Sequence, residues 1–312
     1  MSSKRTSRHP APGPGFPAVV LAVLLSIALV PAVAALEEPK GSVDWVGGFI
    51  QGVGQGTAKP SGNRVQDRLN ALRAAEVVAQ RALGEAIHGV RVDGATAVRD
   101  AVRQYVLESR VQGIVRGARK VKAEVSWEGN VPLATVELRV CLAADAPECR
   151  AGGSVVGMLA DTRKGEPAYV PSESFRGDPV PPAGIPPVSN DSSRPVTGLI
   201  LRVEGVRFER ELFPVVVTRD PGGRFLTVYS ARSVKPEIVR THGVARYVDT
   251  PDQAATNPLL GGNPLVVVVT EVTRENMLVV RPDSAKAIRE TTRYGNDYLA
   301  DAKVVVAGRP AR

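Results

Sequence analysis

The stretch VGGFIQGVGQGTAKP, Val46 to Pro60, decides how the first part of this 312-residue chain is read. Its glycines at Gly52, Gly54 and Gly56, with Lys59 after them, invite comparison with a phosphate-binding loop. The Walker pattern G-x-x-x-x-G-K-[ST] needs the lysine directly after its last glycine and a hydroxyl next for magnesium. Here Ala58 precedes Lys59 and Pro60 follows it. The dinucleotide fingerprint G-x-G-x-x-G sets its third glycine inside a helix, whereas this spacing is G-x-G-x-G with a proline before the helix. Both comparisons fail, so no nucleotide cofactor is expected. The glycines read instead as backbone freedom: a strand ending at Gly52, then a wide structural turn through Gly54 and Gly56.

Beyond that turn, Val65, Leu69, Leu72, Ala75, Ala79, Leu83, Ala86, Ile87 and Val90 recur at helical spacing. The pattern predicts a long amphipathic helix whose small-residue stripe suits close packing on a sheet. Pro60, Ser61 and Asn63 supply its start and Gly89 its end. The next periodic run, Thr96 to Gly117, predicts a helix capped by Thr96 that becomes irregular near Gly113. ARKVKAEVSWEGNVPLATVELRVCL then alternates as two strands joined at Glu128-Gly129-Asn130, a hairpin.

Before the opening stretch, Lys4, Arg5 and Arg8 precede an acid-free apolar run, Ala18 to Ala35, and the first acids are Glu37 and Glu38. Basic segment, apolar segment and terminal small residues make a secretory signal over residues 1–35. The run also sits at the lower length limit for an uncleaved anchor. Pro31 and the Ala-Val-Ala-Ala end favour cleavage. No cysteine follows the small residues, so a direct lipid anchor is not expected. Export puts the only two cysteines, Cys141 and Cys149, in an oxidising compartment, where a structural disulfide and two free thiols are the alternatives and the disulfide is favoured.

Between Arg150 and Pro195, proline recurs without hydrophobic periodicity, a composition that stays extended. It divides the chain into a first domain at 36–150, a linker at 151–194 and a second domain at 195–312. The second domain alternates short strands with helices at Pro236–His242, Pro251–Ala255 and Ser284–Thr292, and Asp220-Pro221-Gly222-Gly223 marks a tight reversal. The block Leu265–Val269 reads as a central strand covered on both faces. Strands and helices without regular alternation predict α+β in both domains, each a small sheet with packed helices.

The net charge of +8 is spread as bases alternating with acids, and aromatics are few. Nucleic acid is therefore not an expected partner. His88 and His242 fall in different domains, too few and too far apart in sequence for a metal site. Glu271 and Glu275 read as solvated turn residues and not as a glycosidase pair. No nucleophile elbow occurs, and the residues predict no catalytic, cofactor or metal site. Trp45, Trp127 and Phe49 are open to reading as a ligand platform or a subunit contact, with core packing favoured.

The residues Trp45, Val46, Gly52, Val53, Gly54, Val111, Gly113, Val115, Arg116, Gly117 and Ala118 together carry a resemblance. Over residues 43–142 the chain resembles the twenty-kilodalton outer-membrane lipoprotein family and the N-terminal domain of flagellar assembly protein T. The resemblance implies an α+β envelope module with a non-enzymatic role in outer-membrane or flagellar-base structures. Residues 195–312 look similar to C-terminal domains attached to this module in some bacterial proteins. The expectation is an exported, non-enzymatic cell-envelope protein, periplasmic with peripheral outer-membrane association, acting as a structural or assembly factor. Its expected partners are envelope or flagellar proteins, or further copies of itself. The alternative is a periplasmic binding module for a small ligand or cell-wall glycan, with the pocket in the second domain.

Overall fold

The computed structural model describes residues 40–94, 96–98, 105–145, 149, 153–160, 188–293 and 297–310. The signal sequence predicted at 1–35 and most of the linker predicted at 151–194 lie outside the described residues. The described residues belong to one compact unit holding a four-stranded sheet, an eight-stranded sheet and a two-stranded hairpin, an α+β architecture.

The first sheet is built around the glycine stretch. Strand β1 (Lys40–Asp44) turns at Trp45–Gly48 into the antiparallel β2 (Phe49–Thr57). The turn is closed by the Asp44 carboxylate, which accepts from the Gly47 amide at 2.7 Å, and by Gly48 at φ 76°. Gly52, Gly54 and Gly56 do not form a turn, contrary to the expectation from sequence: they lie inside β2, on its buried face beside Ile50. The reason is volume, not backbone freedom. A Cβ placed on Gly52 would lie 2.5 Å from the Ala79 carbonyl oxygen, on Gly54 2.2 Å from the Ala79 nitrogen, and on Gly56 2.3 Å from the Ala75 nitrogen. Helix α1 (Arg64–Gly89) therefore rests directly on the strand backbone, its buried Ala75 and Ala79 against the glycines.

α1 starts where the sequence places it. The Asn63 side chain accepts from the Val65 and Gln66 amides, and Asp67 reaches back to accept from the Ser61 amide at 2.9 Å. Thr96 does not cap the next helix. It pairs with Asp93 in a short hairpin of β3 (Arg91–Asp93) and β4 (Thr96–Ala97), held to the end of α1 by the bond from the Val98 amide to the Val90 carbonyl. Helix α2 spans Tyr105–Arg116, continuing through Gly113. Strands β5 (Arg119–Glu128) and β6 (Val131–Cys141) make the expected hairpin, with Gly129 at φ 61°. β6 pairs with β2, giving the order β1-β2-β6-β5. Helix α3 (Val155–Ala160) follows.

The second sheet has a parallel centre. Strands β7 (Val188–Ser189), β8 (Gly198–Arg202), β9 (Val216–Arg219), β10 (Phe225–Tyr229), β11 (Arg246–Val248), β12 (Pro264–Val272), β13 (Leu278–Val280) and β14 (Val304–Ala307) run β10-β9-β13-β12-β8-β14-β11, with β7 also on β12. β12, β8, β14 and β11 are mutually parallel neighbours. The Leu265–Val269 block lies centrally in β12, with Leu265, Val267, Val268 and Val269 buried. Helices α4 (Pro236–His242), α5 (Pro251–Ala255) and α6 (Pro282–Arg293) complete this half. One apolar cluster runs through both halves, from Ile50, Leu83 and Val136 to Leu201, Val267 and Val304.

Candidate functional site

The two halves meet along a seam whose keystone is the irregular segment 207–213. On one side it pairs with β3: the Leu212 amide donates to the Arg91 carbonyl at 3.0 Å and the Phe213 amide to the Val92 carbonyl at 2.9 Å. Asn276, held at φ 65°, clamps the middle of the segment. Its side-chain oxygen accepts from the Glu209 amide at 2.8 Å and its nitrogen donates to the Glu209 carbonyl at 2.7 Å. Arg91 pairs with the Glu209 carboxylate and donates to the Gly94 carbonyl. On the other side, the buried Arg210 holds Asp249 at 2.6 Å and the Gly308 carbonyl at 3.1 Å.

Glu211 sits at the centre of this seam, 2% exposed. Its backbone is gripped by the Tyr247 hydroxyl, which donates to the Glu211 carbonyl at 2.9 Å and lies 3.2 Å from the Glu211 amide. One of its carboxyl oxygens, Oε2, is buried with no hydrogen-bond partner among the described residues. Burial pushes the Glu211 carboxyl well above the ordinary carboxylate range, reinforced by the negative charges of Asp93 and Glu209 and opposed by Asn276 and Arg91. The Tyr247 phenol is pushed up by burial as well. Burial in the seam thus penalises the charged form of Glu211.

Beside the seam lies a cleft of about 130 Å³, lined among others by Trp45, Leu142, Glu211, His242, Arg246 and Tyr247. Trp45 stands edge-on to Tyr247 with ring centroids 5.4 Å apart. The opposite wall is pinned by the Cys141–Cys149 disulfide, with Cα atoms 5.7 Å apart. From that pin, the Ala144 amide donates to the Thr241 carbonyl at 2.7 Å, and Asp145 pairs with Arg246. A space of this size admits one aromatic ring or one side chain. Asp145 and Arg246 in its lining are paired with each other, and Glu211 brings a buried carboxyl to it.

Of the residues singled out from sequence, the structure joins Cys141 to Cys149 and brings Trp45 and His242 to one cleft. Trp45 is half-buried at the cleft, Phe49 lies under the Arg139 guanidinium and Trp127 under that of Arg64, each at 4.3 Å. They are neither one platform nor fully buried core. His88 ends α1, while His242 ends α4 at the cleft. Glu271 pairs with Arg219 at 3.5 Å, and Glu275 has a buried carboxyl oxygen, so neither is the freely solvated residue the sequence predicts. Among the described residues, no group of three or more His, Cys, Asp and Glu is arranged to hold a metal. Sequence reasoning missed Arg91, Glu209, Glu211, Tyr247 and Asn276. The visible signal was VRFERELF, charges interleaved with large apolar residues where no regular strand is predicted.

The keystone lies inside a segment that matches a known family. Residues 198–308 match the family described as Treponema pallidum Tp0624, second domain. The matched segment begins with β8 and ends just after β14, so it contains the parallel centre of the second sheet. It supplies Glu211, His242, Arg246, Tyr247 and Asn276, whereas Trp45, Arg91 and the disulfide lie outside it. The cleft therefore has one wall inside the Tp0624-like segment and one outside. A search of curated proteins finds no match to the chain.

Proposed function

We propose that this chain is an exported, non-enzymatic protein of the cell envelope that works as a structural or assembly factor at the outer membrane or the flagellar base, through contacts with envelope proteins or with copies of itself. The observation that carries the reading is the disulfide-pinned seam. Cross-half backbone hydrogen bonds and a buried polar keystone fix one α+β half against the other, and the Cys141–Cys149 disulfide pins the loop whose Ala144 amide reaches across to Thr241, a device for holding shape. The basic-apolar-small N-terminal pattern and the two cysteines support export to an oxidising compartment. The resemblance of residues 43–142 to the outer-membrane lipoprotein family and flagellar assembly protein T supports the envelope setting.

Two measurements test this. Residues 1–39 fused to alkaline phosphatase give phosphatase activity, which that enzyme develops only after export; an inactive, cytoplasmic fusion overturns the localisation. Purified protein mixed with envelope extract rises in mass by light scattering and retains a defined envelope protein. A species that stays monomeric and retains none overturns the assembly role.

The cleft favours a second reading, a binding module for a small ligand or cell-wall glycan. Saturable binding of a glycan fragment that is lost in Trp45→Ala and Arg246→Ala would move the conclusion to it.

A further inference from the structure

β5 is an edge of the first sheet, with β6 on one side and no described strand on the other. Seven of its ten residues are exposed. Its register on β6 slips between Lys120 and Lys122, a bulge at Val121, so Lys122–Glu128 is the uninterrupted edge. Along this stretch Ala123, Val125 and Trp127 sit opposite buried β6 residues and point to the helix side. Lys122, Glu124, Ser126 and Glu128 point to the open side.

We propose that this edge is a self-docking surface, on which a second copy of the chain pairs its own β5 antiparallel about a two-fold axis at Val125, joining two four-stranded sheets into one. Antiparallel pairing keeps directly opposed side chains on the same face. About Val125 it sets Lys122 against the partner's Glu128, Glu124 against the partner's Ser126, and Ala123 against the partner's Trp127, with Val125 meeting its own copy. Charge meets opposite charge on the open face, and large meets small on the helix side.

Bases fill the first half of the strand (Arg119, Lys120, Lys122) and acids the second (Glu124, Glu128), a polarity that an antiparallel partner of the same sequence complements at Lys122 and Glu128. Other registers do worse. Centring on Glu124 sets two carboxylates face to face, and centring on Ala123 runs the pairing into the bulge. The bulge also ends the pairing after seven residues, and each copy uses its edge once, so the assembly closes as a dimer.

The pairing names a surface for the assembly reading and rests on it for its purpose, but its test is separate. In sedimentation equilibrium the purified protein dimerises. Lys122→Glu and Glu128→Lys each weaken association about tenfold, and the two together restore it to within about threefold. Both positions are exposed, and circular dichroism checks that each variant is folded. Val125→Cys, placed on the two-fold, forms a covalent dimer on oxidation. A monomer at every concentration tested overturns the proposal. So does a dimer indifferent to Lys122→Glu, an unrescued double variant, or a Val125→Cys chain that fails to cross-link. A monomer that is still exported and retains an envelope protein sinks the pairing and leaves the envelope role standing.

Discussion

Gly54 and Glu211 show how single positions are fixed by what surrounds them. At Gly54 the nearest atoms to an added Cβ are backbone atoms of α1, 2.2 Å and 2.4 Å away, which cannot swing aside as a side-chain tip would. Gly54→Val must push the helix off the strand. Overpacking of this kind costs about 3 kcal/mol or more and is read as a lowered midpoint in urea with a near-constant slope. An unchanged midpoint would refute the close approach.

Glu211 makes a pH prediction with a definite sign. Its folded carboxyl holds its proton more tightly than an unfolded glutamate at about 4.5, so the folded state binds more protons. Its stabilising contribution is complete below that value and declines as pH rises toward the raised folded value. Glu211→Gln keeps the shape and removes the proton. The Tm of the variant relative to wild type should therefore climb as pH rises above about 4.5; a difference that stays flat rules out a raised Glu211 carboxyl.

Among the elements, the long helix and the two hairpins were legible because their signals are local. Asn63 before an apolar periodicity, Glu128-Gly129-Asn130 between alternating strands and Asp220-Pro221-Gly222-Gly223 each fix a few dihedrals with neighbouring atoms. The β2 glycines were misread because glycine answers two needs, positive φ and absent volume. Their period of two fitted a strand all along, but only the alanine stripe lying on them decides which need applies. Thr96 was misassigned as a cap because its strand partner, Asp93, belongs to a hairpin too short to carry a periodic pattern.

The disulfide acts at this same scale, tying the end of β6 to the approach of α3. Its closed loop is short, and replacing both cysteines by serine should lower stability by about 2–3 kcal/mol in chemical denaturation. The wall at Ala144 and Asp145 should also loosen, so amide hydrogen exchange of Ala144 should rise more than that of β2. Equal protection in both forms would show that the pin does not hold the wall.

At the scale of the whole molecule, two α+β halves share one apolar cluster and one hydrogen-bonded seam. A shared core makes unfolding of either half expose surface of the other, so residues 37–312 should melt in one transition. Trp45 reports it well, because it packs on Tyr247 across the seam. In a Trp127→Phe chain, Trp45 fluorescence and far-ultraviolet circular dichroism should share one midpoint. Separate midpoints would mean that the halves are independent.

The sequence alone determined the α+β class and most element positions and favoured the Cys141–Cys149 pair, since each follows from periodicity, capping or a short loop. Only the tertiary structure decided that the glycines are a packing surface, that Glu211 is a buried acid whose carboxyl is pushed above its ordinary range, and that Trp45 meets Tyr247. Those facts depend on which atoms from distant parts of the chain share a space, and burial and dielectric are set by neighbours that local pattern does not record.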